Sequence, residues 1–191
     1  MTKIKTKENL QQIWSGFHWL FFVDVQALII CLRRFESQLE ARNLKAAKVE
    51  LRTATKLMLA SGAAMELAGS FSRKEYEQQI RPDMQPPNVE AENFSGLMSW
   101  DHALLIKICK QLAPAFQQLP AELHAQHEHF VNAYITLSNS HTAVCARFGG
   151  NEKGSLRCNK TSAVSRLENF GQCRLKMLDP ERRITDNDNH N

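Results

Sequence analysis

A histidine and a cysteine one helical turn apart, His141 and Cys145, offer the clearest chemistry in this chain. They stand in the series Phe130, Tyr134, Leu137, His141, Cys145 and Phe148, separated by steps of 4, 3, 4, 4 and 3 residues. Such steps keep all six on one helix face, so both side chains are expected to be buried. A buried imidazole needs a partner for each ring nitrogen, and the stripe offers few polar groups. Either a neighbouring helix supplies the partner, or His141 is a ligand. Cys145 reads as a small buried hydrophobe or as a thiol serving that same site.

The other histidines are less pointed. His18 sits in WSGFHWLFF beside Trp14, Phe17, Trp19, Phe21 and Phe22. So many rings around one imidazole would line a flat apolar cofactor or a ring-shaped substrate, or would simply pack an N-terminal segment. Asp101 and His102 follow a long loop and open a helix, where Asp101 suits the helix dipole. His124, His127 and His129 lie in a strongly polar stretch with no further ligand apparent and read as a solvated helix start. Lys153–Ser155 follows a helix instead of preceding one, which removes a P-loop reading. GxGxxG, HExxH and GxSxG are absent from the sequence, which argues against dinucleotide, zinc-protease and hydrolase sites.

The elements that must position these residues are helical. Apolar residues recur at helical spacing from Phe21 to about Glu40, and again from Leu44 to about Ser70, across a break at Asn43. The short connection makes the two an antiparallel pair. Ser72 and Glu75 form a capping box opening a short helix that ends near Arg81, because Pro82 restricts its predecessor. Residues 81–96 form a long loop with apolar Met84, Val89 and Phe94. Ser99 caps a helix from Trp100 to Gln118, with Pro114 expected to kink it. Pro120 opens the longest periodic helix, Ala121–Phe148, which Gly149 and Gly150 stop. A polar loop, 151–162, leads to a last helix at about Ala163–Met177.

The 191 residues are 43% hydrophobic, enough for a sizeable core in one domain. The expectation is an all-α, single-domain bundle of five or six helices over 1–178, with a flexible tail over 179–191. Charge is mixed at a net +4, and no basic stripe points to nucleic acid. The five cysteines are odd in number, widely spaced and lack CxxC, which speaks against a disulfide framework. The apolar run Trp19–Cys31 is interrupted by Asp24 and Gln26 and is shorter than the ~20 residues of a membrane span. A cytoplasmic protein with no membrane or nucleic-acid partner is the expectation.

HTAVCARFGGNEKG, residues 141–154, resembles the haem-ligating segment of the tryptophan 2,3-dioxygenase superfamily: a histidine, an arginine six residues on, then glycines, a lysine and a glycine. FSRKEYEQQIRPDMQPPNVEAENFSG is similar to the helix and loop before that family's serine-glycine pocket segment. The resemblance implies haem b as cofactor, with His141 as iron ligand and Arg147 facing a propionate. It also implies that Phe94, Ser95 and Gly96 line the distal pocket, that Ser155 closes the substrate turn, and that His18 is the distal histidine. Where the dioxygenases carry a carboxylate-binding arginine, this chain has Trp100, Asp101 and His102. The HxxxC pattern of His141 and Cys145 resembles instead the haem-dependent hydroxylases of tyrosine derivatives, in which the cysteine can form a thioether to the haem edge. A residue four positions on lies about 6 Å along the helix axis, a reach that suits such a bond.

These resemblances imply a haem-dependent oxygenase or hydroxylase of an aromatic amino acid, tyrosine-like before indole. Trp14 and Phe148 would border the cofactor, Arg81 would take the substrate carboxylate, and His102 would donate or shuttle a proton near the ring hydroxyl. A chain of this length is expected to complete its pocket as a homodimer or larger, with Trp14, Phe17 and His18 reaching across. The rival readings are a non-catalytic helical interaction module, with 81–96 as contact surface, and an indole-cleaving dioxygenase.

Overall fold

The computed structural model describes residues 7–88, 90, 97, 99–152 and 162–181. Among them every regular element is helical: α1 (Lys7–Glu40), α2 (Leu44–Ala68), α3 (Arg73–Glu75), α4 (Trp100–Gln117), α5 (Ala121–Arg147) and α6 (Ala163–Leu178). The α3 turn runs on through a π-turn, Tyr76–Ile80, and a 3₁₀ turn, Arg81–Met84. This is the expected all-α bundle.

Most expected boundaries fall within two residues of the observed ones, because local chemistry sets them. Asn43 accepts from the Ala46 N–H at 3.3 Å, and Ser99 from that of His102 at 3.2 Å. The Ser72–Glu75 capping box is formed in both directions. After α5, Gly149 takes φ +83° and donates to the Ala146 carbonyl, while Gly150 donates to that of Cys145 at 2.9 Å. That pairing is a Schellman motif, and its left-handed position favours glycine.

Two expectations are corrected. The first helix begins at Lys7 and not at Phe21. Leu10, Trp14 and Phe17 extend the apolar repeat backwards, Leu10 is fully buried, and this burial outweighs the ~1 kcal/mol cost of Gly16 in a helix. The resulting helix is long and apolar enough, by length and composition, to cross a membrane, which the shorter run Trp19–Cys31 had not suggested. One face of it, through Val25, Leu28, Leu32 and Phe35, is buried in the core; on the other face Trp19 is 71% exposed, Val23 57% and Ile30 50%. At 34 residues α1, and not α5 with 27, is the longest helix among those described.

The main core joins Leu32 and Phe35 of α1 to Leu51, Leu112, Phe116, Leu123 and Phe130 of α2, α4 and α5. A second, smaller cluster gathers Leu10, Phe71, Tyr76 and Ile80, with Trp14, Met84 and Phe148 packed against it. Helices α2 and α5 run close together: a Cβ on Gly69 would stand 2.5 Å from a Val144 methyl. Polar ties hold that contact, with Ser140 Oγ donating to Glu66 at 2.5 Å and Gln126 Nε2 to Thr55 Oγ1 at 3.2 Å.

Candidate active site

A cavity of about 240 Å³ draws its walls from both clusters, and His141, Cys145 and Phe148 of the α5 stripe line it. The stripe is therefore not core throughout. Phe130 and Tyr134 are buried, but Leu137, His141, Cys145 and Phe148 are only half-buried. Beyond Tyr134, Leu137 still packs on the main core and Phe148 on the second cluster, while His141 and Cys145 between them face the cavity.

No described residue gives the His141 ring a hydrogen-bond partner. Burial, and secondarily the positive charge of Arg174, pushes its pKa down to about 4, so the imidazole is neutral at ordinary pH with a lone pair free to coordinate. Of the two readings left by the sequence, the satisfied core histidine finds no partner among the described residues. Cys145 shares the cavity, and burial raises its thiol. Gly150 packs against it so closely that a Cβ would stand 2.5 Å from the sulfur.

Helix α1 brings His18 and Trp14 to the same cavity, stacked at 4.8 Å and 27°. Burial lowers the His18 pKa, so it too is held neutral. Tyr76 and Phe148 stack face to face at 4.0 Å and 7°, with Trp14 edge-on to Tyr76 at 6.5 Å. Arg81 also lines the cavity, half-buried and without an ion pair among the described residues.

The structure separates other expected site residues from this group. His102 is buried and lines a second cavity of about 80 Å³, which shares Phe21, Met65, Leu97 and His141 with the first. It is not the surface histidine that its first-turn position allows. Arg147 does not line the cavity; its guanidinium donates to the Gly69 carbonyl at 2.7 Å and so closes the end of α2. Phe94, Ser95, Gly96 and Ser155 lie outside the described residues. His127 is not solvated, since it bonds the Leu178 carbonyl at 2.7 Å and stacks on Phe116 at 4.8 Å. No group of three or more metal-ligating side chains occurs among the described residues. Sequence reasoning missed Tyr76, whose ring follows the capping box directly, and Glu152, which carries no local signal.

A family described as SfmD 3-methyl-L-tyrosine peroxygenase matches residues 3–126. The chain belongs to this family. It is 30% identical over 175 residues to a 3-methyl-L-tyrosine peroxygenase of Streptomyces lavendulae, a match covering 90% of this chain and 47% of that relative. A match of that extent includes His141 and Cys145 wherever it begins. The chain thus spans about half the length of the curated relative it matches. No solved structure matches it. The family stands on the tyrosine-derivative side of the resemblance drawn from the HxxxC pattern.

Proposed function

We propose that this chain forms the active part of a haem-dependent oxygenase of a tyrosine-like amino acid, with His141 as the iron ligand. The observation that carries the reading is His141 itself: a neutral imidazole without a hydrogen-bond partner among the described residues, facing a cavity, with a thiol one turn further on. The residues present suit haem. A single imidazole is an ordinary axial ligand, and the Trp14, Tyr76 and Phe148 rings offer flat apolar walls. The name of the relative, a peroxygenase, favours peroxide as oxidant. Kinship with the tryptophan dioxygenases belongs to the same proposal.

Haem would supply the redox chemistry of oxygen transfer. The chain's own residues do the rest. His141 would hold the iron, and Cys145, one turn further on, would hold the macrocycle. Neutral His18 accepts a proton from a phenol and returns it. Arg81, with no competing carboxylate, holds the substrate carboxylate through a bidentate pair. Apolar Phe17, Phe21 and Met65 keep water from the reacting ring. His102 reaches His141 only across the smaller cavity and serves as a secondary proton donor.

Pockets that enclose a drug-sized ligand run to ~300–1,000 Å³; at about 240 Å³ this one is too small to enclose a macrocycle and a substrate together. A second copy of the chain completing the site, as a homodimer or larger, fits that shortfall.

The test is haem loading of the purified chain and of His141→Ala. The parent chain is expected to show a haem absorption band and the variant to lose haem or change spin state. A variant with the parent's haem content and spectrum removes His141 as ligand, and a chain that binds no haem removes the reading.

A further inference from the structure

Among the described residues lining the larger cavity, two carry a formal charge at neutral pH: Arg81 and Glu152. The Glu152 carboxylate is held in place. Arg73 donates to both of its oxygens, NH2 to Oε2 at 2.9 Å and NH1 to Oε1. The same guanidinium donates from Nε to Glu77 at 2.8 Å. Gly149 makes room for this arrangement, because a Cβ there would stand 2.8 Å from the Arg73 guanidinium carbon. The Glu152 N–H also donates to the Gly149 carbonyl at 3.0 Å, tying the residue to the turn that ends α5.

One guanidinium thus serves two carboxylates, Glu77 and Glu152. A carboxylate has about four lone-pair positions, and Arg73 uses two of those on Glu152. The cavity therefore presents a fixed, negatively charged hydrogen-bond acceptor at its rim and, in its wall, Arg81, which has no ion pair among the described residues, with aromatic surface beside them. A free α-amino acid with an aromatic side chain carries the complementary set.

We propose that Glu152 is a specificity-determining residue that binds the α-ammonium group of the substrate while Arg81 takes its α-carboxylate, so that the site selects the zwitterionic amino acid over the matching amine or acid. This rests on the aromatic amino-acid reading above. Arg73 is then a positioning residue for Glu152.

Calorimetric titration of the full haem-loaded chain with L-tyrosine, tyramine and 3-(4-hydroxyphenyl)propanoate separates these roles. L-Tyrosine is expected to bind about tenfold more tightly than either analogue, the factor for one charge-assisted hydrogen bond. Glu152→Gln should abolish the preference for tyrosine over the propanoate yet keep that over tyramine; Arg81→Gln should do the reverse. Glu152→Asp should restore part of the first preference, and melting temperatures check that each variant is folded. If Glu152→Gln keeps the parent's preference over the propanoate, or weakens all three ligands equally, Glu152 is only a clamp on Arg73 and the assignment is overturned. If tyrosine and both analogues fail to bind the parent chain while haem is bound, the substrate reading fails and this assignment falls with it.

Discussion

At the scale of single residues, the cavity gathers groups whose protonation is set by burial. Cys145 stands one turn from His141, and burial raises the pKa of its thiol; in the proposed reading this thiol would link the haem to the chain. After haem loading and turnover, acid–acetone extraction should leave haem with the polypeptide, and intact mass should exceed the sequence mass by one haem. Cys145→Ala should release all of it. Complete extraction from the parent chain would return Cys145 to a packing role.

The imidazoles also predict a pH dependence. Burial lowers the pKa of His141 to about 4 and those of His18 and His127 below the usual 6.5. Between the folded and unfolded values the unfolded chain binds more protons, so stability rises with pH across that window. The stabilising contribution is present above 6.5 and is lost as pH falls through the folded values. The melting temperature should drop as pH is lowered below 6.5. His127→Gln, which keeps an N–H for the Leu178 carbonyl without the titration, should flatten that slope. An unchanged slope would show that His127 titrates alike in both states.

Among the elements, the α2–α5 contact positions the site, because it fixes the face of α5 that carries His141. Gly69 gives that contact its closeness and receives the Arg147 guanidinium on its carbonyl. Gly69→Ala should destabilise the chain by about 1–3 kcal/mol, the usual cost of overpacking, read from denaturant unfolding. Adding Val144→Ala should recover much of that loss, since it removes the atoms the new methyl meets. Strict additivity of the two substitutions would contradict the contact. The α3 turn has a different task. Its capping box sets Arg73 and Tyr76 where they meet Glu152 and Phe148.

For the whole molecule, the cavity volume and the apolar outer face of α1 point the same way. Trp19, Val23 and Ile30 leave a stripe of α1 uncovered, and the enclosed space is small for the proposed contents. Light scattering of the haem-loaded chain at micromolar concentration should give the mass of a dimer or larger. A monomer that retains haem and oxidises an aromatic substrate would refute the shared site.

Helix positions in this chain follow from neighbouring residues alone. Apolar repeats, the caps at Asn43, Ser72 and Ser99, and the Gly149 stop act over a few positions, so α2, α4, α5 and α6 were legible as linear text. So was the pairing of His141 with Cys145, which is a matter of helical pitch. The aromatic residues around His18 and the place of Arg81 before Pro82 marked both as candidates, and the fold brings both to the same cavity. Other features depend on which helices part from one another and where. Whether the α5 stripe faces core or cavity beyond Tyr134 is decided by the ends of α1 and α2. Arg147 meets the end of α2 because Gly69 lets the two helices approach. The Tyr76–Phe148 stack and the Arg73–Glu152 pair join residues more than seventy positions apart. A periodicity records which face of a helix is apolar; only packing against the other helices settles whether that face is filled by side chains or left open for a ligand.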